Sequence, residues 1–290
     1  MHSVTVVSSS IAGIVFLILG LIVVRKDFLA ASGLGKLVVL GPVFVAASLA
    51  TFGAEHLAAA RGIAQLVPAW MPAHLFWAYF FGVALLAAAI SFDLRKCVRW
   101  SAPLLALMFF IFVVTMDIPS VVSDPKNRID WVLLCRETAF ALGALALTAV
   151  LLPGRRAQLA NVLTTLVRVG FGAVTVFYGI EHFLHPECVI GVPLEKVTPA
   201  WVPLPHLWAY LVGIFLVIAG VALLVKKRAE LSAALVGLVM TALTLFFYVP
   251  ILATDRGTEQ LVEGINYVFD TLLFAGMALL VARAMRNERL

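Results

Sequence analysis

Pro68-Ala69-Trp70-Met71-Pro72-Ala73-His74-Leu75-Phe76-Trp77-Ala78-Tyr79-Phe80-Phe81-Gly82 returns later in the chain as Pro199-Ala200-Trp201-Val202-Pro203-Leu204-Pro205-His206-Leu207-Trp208-Ala209-Tyr210-Leu211-Val212-Gly213. Aligned without a gap, the copies share 8 of 15 positions, among them two prolines, two tryptophans, the tyrosine and the closing glycine. Apolar composition alone does not put Pro, Trp and Tyr in register, so the stretch marks an internal duplication. The prolines forbid a continuous helix ahead of the apolar run, and Trp and Tyr settle at a membrane-water boundary. Each copy reads as a short surface segment turning into a membrane helix.

The whole chain supports that setting. Of 290 residues, 63% are hydrophobic and 13% charged, with a mean hydropathy of +1.06. Apolar residues come in long runs, which defines an all-α integral membrane protein and excludes a soluble domain. The net charge of +5 is explained by basic residues held on one side of a bilayer, and nucleic acid is not expected as a partner. Cys97, Cys135 and Cys188 are far apart and form no CxxC, so neither a disulfide framework nor a thiolate metal site is expected.

Runs long enough to cross a bilayer, at about 20 residues each, fall near 4–24, 37–60, 72–93, 99–119, 131–152, 157–184, 204–225, 230–252 and 261–282. Nine spans sort the 21 Lys and Arg residues cleanly: 14 at one set of ends, 5 at the other, and Arg136 and Arg168 inside spans. The positive-inside rule then puts the N-terminus outside and the C-terminus in the cytoplasm. The first span has Arg25 and Lys26 after it and no Lys or Arg before it, the reverse of a signal peptide, so it is expected to be a retained helix.

The other eight spans divide into two fours. Gly53-Ala54-Glu55-His56 matches Gly179-Ile180-Glu181-His182 at an offset of 126, and the Pro-Trp stretch repeats at 131. The second outer loop is therefore five residues longer. Ile118-Pro119 matches Val249-Pro250 at 131, placing Asp117 opposite Tyr248, and Glu137 matches Asp270 at 133. The expected division is residues 1–34 for the N-terminal helix and its loop, 35–154 for the first unit and 155–290 for the second. Four spans per unit give both copies the same orientation, so they form parallel four-helix-bundle repeats about an axis along the membrane normal.

A four-helix membrane unit with Gly-x-Glu-His closing its first helix, a loop ending Pro-x-Trp-x-Pro and a second helix opening Trp-x-Tyr-x-x-Gly resembles the DoxX family. The chain is similar to a tandem duplication of that unit over about residues 37–285, with one helix added in front. The resemblance implies a bacterial cytoplasmic-membrane protein related to subunits of thiosulfate:quinone oxidoreductase and to membrane partners of redox systems. It implies a quinone as cofactor or substrate, membrane lipids as neighbours and an oxidoreductase partner. No haem, flavin or iron-sulfur motif is present in the chain itself.

Two outer clusters carry the expected chemistry: Glu55, His56 and His74, and Glu181, His182, His185 and His206. A carboxylate beside an imidazole can pass protons, since His titrates near neutral pH and burial moves a Glu toward it. Glu55, His56, Glu181 and His182 are thus the catalytic candidates, against a structural reading in which they cap helix ends. His182 and His185 at i, i+3 suit a metal, but Ala59 stands where the first copy would need His185, and no metal site is expected. Deeper in the spans, Arg168 and Asp270 are the preferred ion pair, because an intramembrane charge needs a partner or a wet cavity. Asp117 and Asn266 are expected nearby, and Arg136 beside Glu137 supplies a similar charge in the first unit. Trp70, Trp77, Tyr79, Trp201, Trp208 and Tyr210 form an interfacial belt. Alternatively, with His206, they roof an apolar slot for an isoprenoid or lipid tail. The remaining readings are a lipid or apolar-ligand carrier without catalysis, and a structural subunit of a larger membrane complex.

Overall fold

The computed structural model describes residues 2–192 and 194–287; Arg289, one of the basic residues used above to orient the chain, lies outside them. The described residues form helices and loops, with a single isolated bridge between Cys188 and Val197. Nine helical segments among them are long and apolar enough to cross a membrane. The chain is a multi-pass, all-α membrane protein.

The spans are α1 (His2–Ala30), α2 (Leu34–Ala58), α4 (His74–Leu94), α5 (Val98–Phe112) continuing into α6 (Ile118–Ser123), α7 (Arg128–Leu151), α8 (Ala157–Leu184), α9 (Pro205–Leu224), α10 (Ala229–Leu243) continuing into α11 (Val249–Thr254), and α12 (Thr258–Asn287). A one-turn helix, α3 (Ala60–Ile63), follows α2. Successive spans alternate in direction. Both Pro-Trp loops therefore lie at one end of the bundle, the Pro-Trp end, and the Lys/Arg-rich loops at the other, the basic end.

The backbone repeats in detail. A π-helical turn joins α5 to α6 at Val113–Asp117 and another joins α10 to α11 at Thr244–Tyr248, 131 residues on. Each is explained by the proline two residues past it. Pro119 and Pro250 have no N–H and crowd the carbonyl four residues back. The helix opens by one residue, so that the Ile118 N–H reaches the Val113 carbonyl and the Val249 N–H reaches that of Thr244. Among the described residues, the six non-glycine residues with left-handed backbone are Ala73, Arg95, Cys97, Leu204, Lys226 and Arg228, three pairs at the same spacing of 131. Close crossings recur as well. A Cβ at Gly53 would stand 2.9 Å from the Gly82 carbonyl oxygen, and one at Gly179 2.9 Å from that of Gly213, so the first two spans of each unit touch backbone to backbone.

The two quartets do not pack as separate bundles. Within each, the first span packs on the second and the third on the fourth. The first span of one quartet then closes against the last span of the other, α2 on α12 and α8 on α7, while α7 and α12 pack on each other. Two five-helix rings share the α7–α12 seam: α2, α4, α5, α7, α12 and α8, α9, α10, α12, α7. Helix α12 is almost wholly buried, and α1 lies outside the rings against α2. This places the polar residues of α7 and α12 on the midline of the molecule.

Candidate functional site

Along that seam, Arg136 of α7 donates from Nη1 to Asp270 Oδ2 at 2.7 Å and from Nη2 to Glu137 Oε1 at 3.1 Å. Glu137 and Asp270 are repeat-equivalent positions, so matching carboxylates from the two central helices hold one guanidinium between them. One turn from Asp270 along α12, Asn266 donates to Glu55 of α2 at 3.2 Å. Asp117, at the end of the first π turn, stands within electrostatic reach of Arg136 and Asp130. Arg136, Asn266 and Asp270 line a cavity of about 190 Å³ with Glu263 and Tyr267 of α12 and Leu194 of the second outer loop. Arg136 Nε, Glu137 Oε2, Asn266 Oδ1 and Asp117 Oδ2 are buried with no hydrogen-bond partner among the described residues. One guanidinium faces several carboxyl groups. The balance has to be met by protons or a bound polar group, because an uncompensated buried charge is costly in lipid.

The longer second loop closes the Pro-Trp end above the seam. Its own Val189, Ile190 and Val192 are buried, and five attachments hold it. The Gly191 N–H donates to His182 Nε2 at 2.8 Å, the Tyr248 hydroxyl donates to the Ile190 carbonyl at 2.6 Å, and the Lys196 N–H donates to the Tyr267 hydroxyl at 3.2 Å. Arg128 spans from Glu181, at 3.2 Å, to the Leu194 carbonyl at 3.1 Å. The Lys196 ammonium pairs with Asp255 at 3.4 Å and Glu263 at 3.2 Å. Gly191 sits at φ 110°, open to glycine and strained for other residues, which lets its N–H turn inward to His182. The Tyr248 and Tyr267 rings stack 5.9 Å apart beneath the loop.

The four catalytic candidates separate in the structure. His182 is fully buried with both nitrogens engaged: Nδ1–H donates to the Tyr178 carbonyl at 2.6 Å while Nε2 accepts from Gly191. It holds the loop. Its neighbour Glu181 anchors Arg128. His56 Nδ1 bonds the Phe52 carbonyl of its own helix at 2.8 Å, and Glu55 turns instead to Asn266. Neither Glu55 and His56 nor Glu181 and His182 bond to each other; His185 instead approaches Glu187, at 3.5 Å, in the outer loop. The carboxylates, not the imidazoles, adjoin the seam.

Two expectations are corrected. Asp270 pairs with Arg136, not with Arg168. Arg168 donates from Nη1 to the Leu223 and Leu224 carbonyls at 2.6 and 2.7 Å, satisfying carbonyls of the last turn of α9 near the basic end. The aromatic residues do not roof a slot. Trp70 is 69% exposed and Trp201 49% exposed, and Tyr79, His206, Trp208 and Tyr210 are exposed too. Trp77 is half-buried, donating to the Pro72 carbonyl at 2.9 Å amid Phe76, Phe80 and Phe81. Most of them face outward from the bundle, and the covering is done by the loop residues that follow His185. Arg128, Lys196, Tyr178 and Tyr267 belong to the site but were not singled out in the sequence. The available signal was the five-residue excess of the second loop.

Fold and site together define a polytopic all-α membrane protein with a buried ion network at the junction of its two halves. Comparison with known protein families, curated proteins and solved structures finds no match for this chain.

Proposed function

We propose that the chain is a DoxX-like, quinone-interacting subunit of a bacterial cytoplasmic-membrane redox assembly, with the Pro-Trp end outside and the basic end in the cytoplasm. The observation that carries this reading is Arg136, clamped between Glu137 and Asp270 on the wall of the cavity with unpartnered polar atoms around it. Drug-sized ligands occupy roughly 300–1,000 Å³, so about 190 Å³ suits a polar head group whose isoprenoid tail stays in the bilayer. A guanidinium donates to a quinone carbonyl, and the neighbouring carboxylates accept protons as a quinol is oxidised. Quinol gives quinone, two protons and two electrons. The protons pass to the carboxylates and the electrons to a partner oxidoreductase, since this chain carries no electron-transfer motif of its own.

The test is redox difference spectroscopy of the purified chain in nanodiscs containing ubiquinone or menaquinone. Arg136→Gln/Asp270→Asn, which removes one charge of each sign, is the comparison. Wild type is expected to retain quinone and the double variant to lose at least tenfold in occupancy. Equal occupancy in the two, or a head-group-bearing lipid in place of quinone by mass spectrometry, overturns the proposal.

A further inference from the structure

The basic end holds a second cavity, about 540 Å³, between the ends of α1, α2, α4, α5, α7 and α12. Three guanidinium groups reach it: Arg95 from the end of α4, and Arg283 and Arg286 from the last turns of α12. A single carboxylate faces them. Asp27 of α1 accepts from Arg95 at 2.5 Å, while Arg283 and Arg286 have no acidic partner among the described residues. Arg283 also lies within repulsive reach of Arg95. Like charges gathered at one cavity call for an anion.

The floor is apolar and deep. Pro42, Val39, Phe92 and Leu147 line it, and Pro42 lies eight residues into α2, about 12 Å along the helix axis at 1.5 Å per residue. Cationic rim and hydrocarbon floor together match an amphiphile with an anionic head.

The other half of the molecule shows what this place looks like when filled. Pro42 corresponds to Arg168, whose guanidinium runs to the Leu223 and Leu224 carbonyls. Those two residues correspond to Phe92 and Asp93. Arg283 and Arg286 correspond to Val150 and Pro153. Where the second half has an internal arginine bound to backbone, the first has a proline, an open floor and two additional arginines at the rim. The difference removes a built-in cation from inside the helices and adds cations around the mouth.

We propose that this cavity binds the phosphate of an anionic phospholipid, with the head group between Arg283, Arg286 and Arg95 and part of an acyl chain over Pro42 and Val39. Basic pockets between membrane helices hold such head groups, and Arg suits phosphate through bidentate hydrogen bonds. Asp27 competes with the phosphate for Arg95. The site stands apart from the seam network and does not depend on the quinone reading.

The test uses the full chain, delipidated in detergent, with thermal unfolding followed as phosphatidylglycerol, phosphatidylcholine or inorganic phosphate is added. Native mass spectrometry of the gently purified protein reads retained lipid. Phosphatidylglycerol is expected to stabilise the wild type at concentrations where phosphatidylcholine and inorganic phosphate do not. Arg283→Gln/Arg286→Gln is expected to raise the half-saturating concentration at least tenfold. Val39→Trp, which obstructs the floor without touching charge, is expected to weaken the lipid effect likewise. Asp27→Asn, which frees Arg95, is expected to strengthen it, a sign that mere loss of packing does not produce. Indifference of phosphatidylglycerol binding to both the arginine pair and Val39→Trp overturns the site. Equal protection by inorganic phosphate overturns the lipid as its ligand.

Discussion

Arg136 is the residue whose environment most constrains its chemistry. It satisfies two buried carboxylates at once, and breaking a buried pair by removing one partner costs about 3–5 kcal/mol because a charge is left stranded. Arg136→Gln is therefore expected to lower the thermal unfolding temperature sharply, whereas adding Asp270→Asn recovers most of the loss. The single and double variants, followed by circular dichroism in detergent, give the coupling directly, and additive losses would rule out the pairing. Cys188 makes a different prediction in the outer loop. Burial is the main cause pushing its thiol up, offset in part by Arg128. Since the fold favours the neutral thiol, this contribution is fully present below the ordinary thiol range, about pH 8.5, and is lost as pH rises through the elevated value. Maleimide labelling at neutral pH is expected to be slower than for a free thiol, as thiolate and access are both scarce.

At the scale of elements, the π turns couple a proline to a site on the opposite side of the helix. Pro250 opens the turn that ends at Tyr248, and the Tyr248 hydroxyl holds Ile190 in the outer loop. Pro250→Ala restores the missing N–H and allows an ordinary α-helical turn, which rotates Tyr248 about one residue, or roughly 100°. The expected outcome is a loosened loop, read as several-fold faster labelling of Cys188. An unchanged rate would mean that Arg128, His182 and Lys196 hold the loop without the tyrosine. The elements themselves were legible in the sequence. Nine spans and the Pro-Trp loops follow from hydropathy and from the missing proline N–H, whereas Pro119 and Pro250 read there as marks of the repeat and not as the cause of a π turn. The partners were not. Residue number along a span gives only height in the bundle, and that basis pairs Asp270 with Arg168 and assigns Arg136 to Glu137 beside it. Which face of a helix meets which neighbour depends on crossings such as Gly143 against Met277 and Gly172 against Gly220, and these set Arg136 toward α12 and Arg168 toward the end of α9. The loop was missed for a related reason. Its Pro-Trp stretch carries the repeat, but the part between His182 and Pro199, which holds the five-residue excess over the first copy, does the covering.

The molecule as a whole depends on an exchange between its halves. Sequence periodicity divides the chain near residue 154, but α2 finds its closing partner in α12, and α8 finds its own in α7. A half cut at that boundary keeps its first two spans together and its last two together, joined by the slighter α4–α5 or α9–α10 contact, and loses the span of the other half that closes the ring. It also loses half of the polar seam: Glu55 separates from Asn266, and Arg136 from Asp270. In a bilayer there is no hydrophobic force to hold helices together, so van der Waals packing and interhelical hydrogen bonds of this kind supply the association. Residues 1–154 and 155–290 expressed separately are thus expected to be degraded or to aggregate. Co-expressed, they are expected to co-purify as a one-to-one pair that unfolds in a single transition. Adding Arg136→Gln to one fragment should weaken the pair far more than Arg168→Gln in the other, whose hydrogen bonds stay within its own fragment. If either half is stable alone in detergent, the interlocked rings are not what holds the fold. The seam would then join two finished bundles, and its ion network would have no part in assembling them.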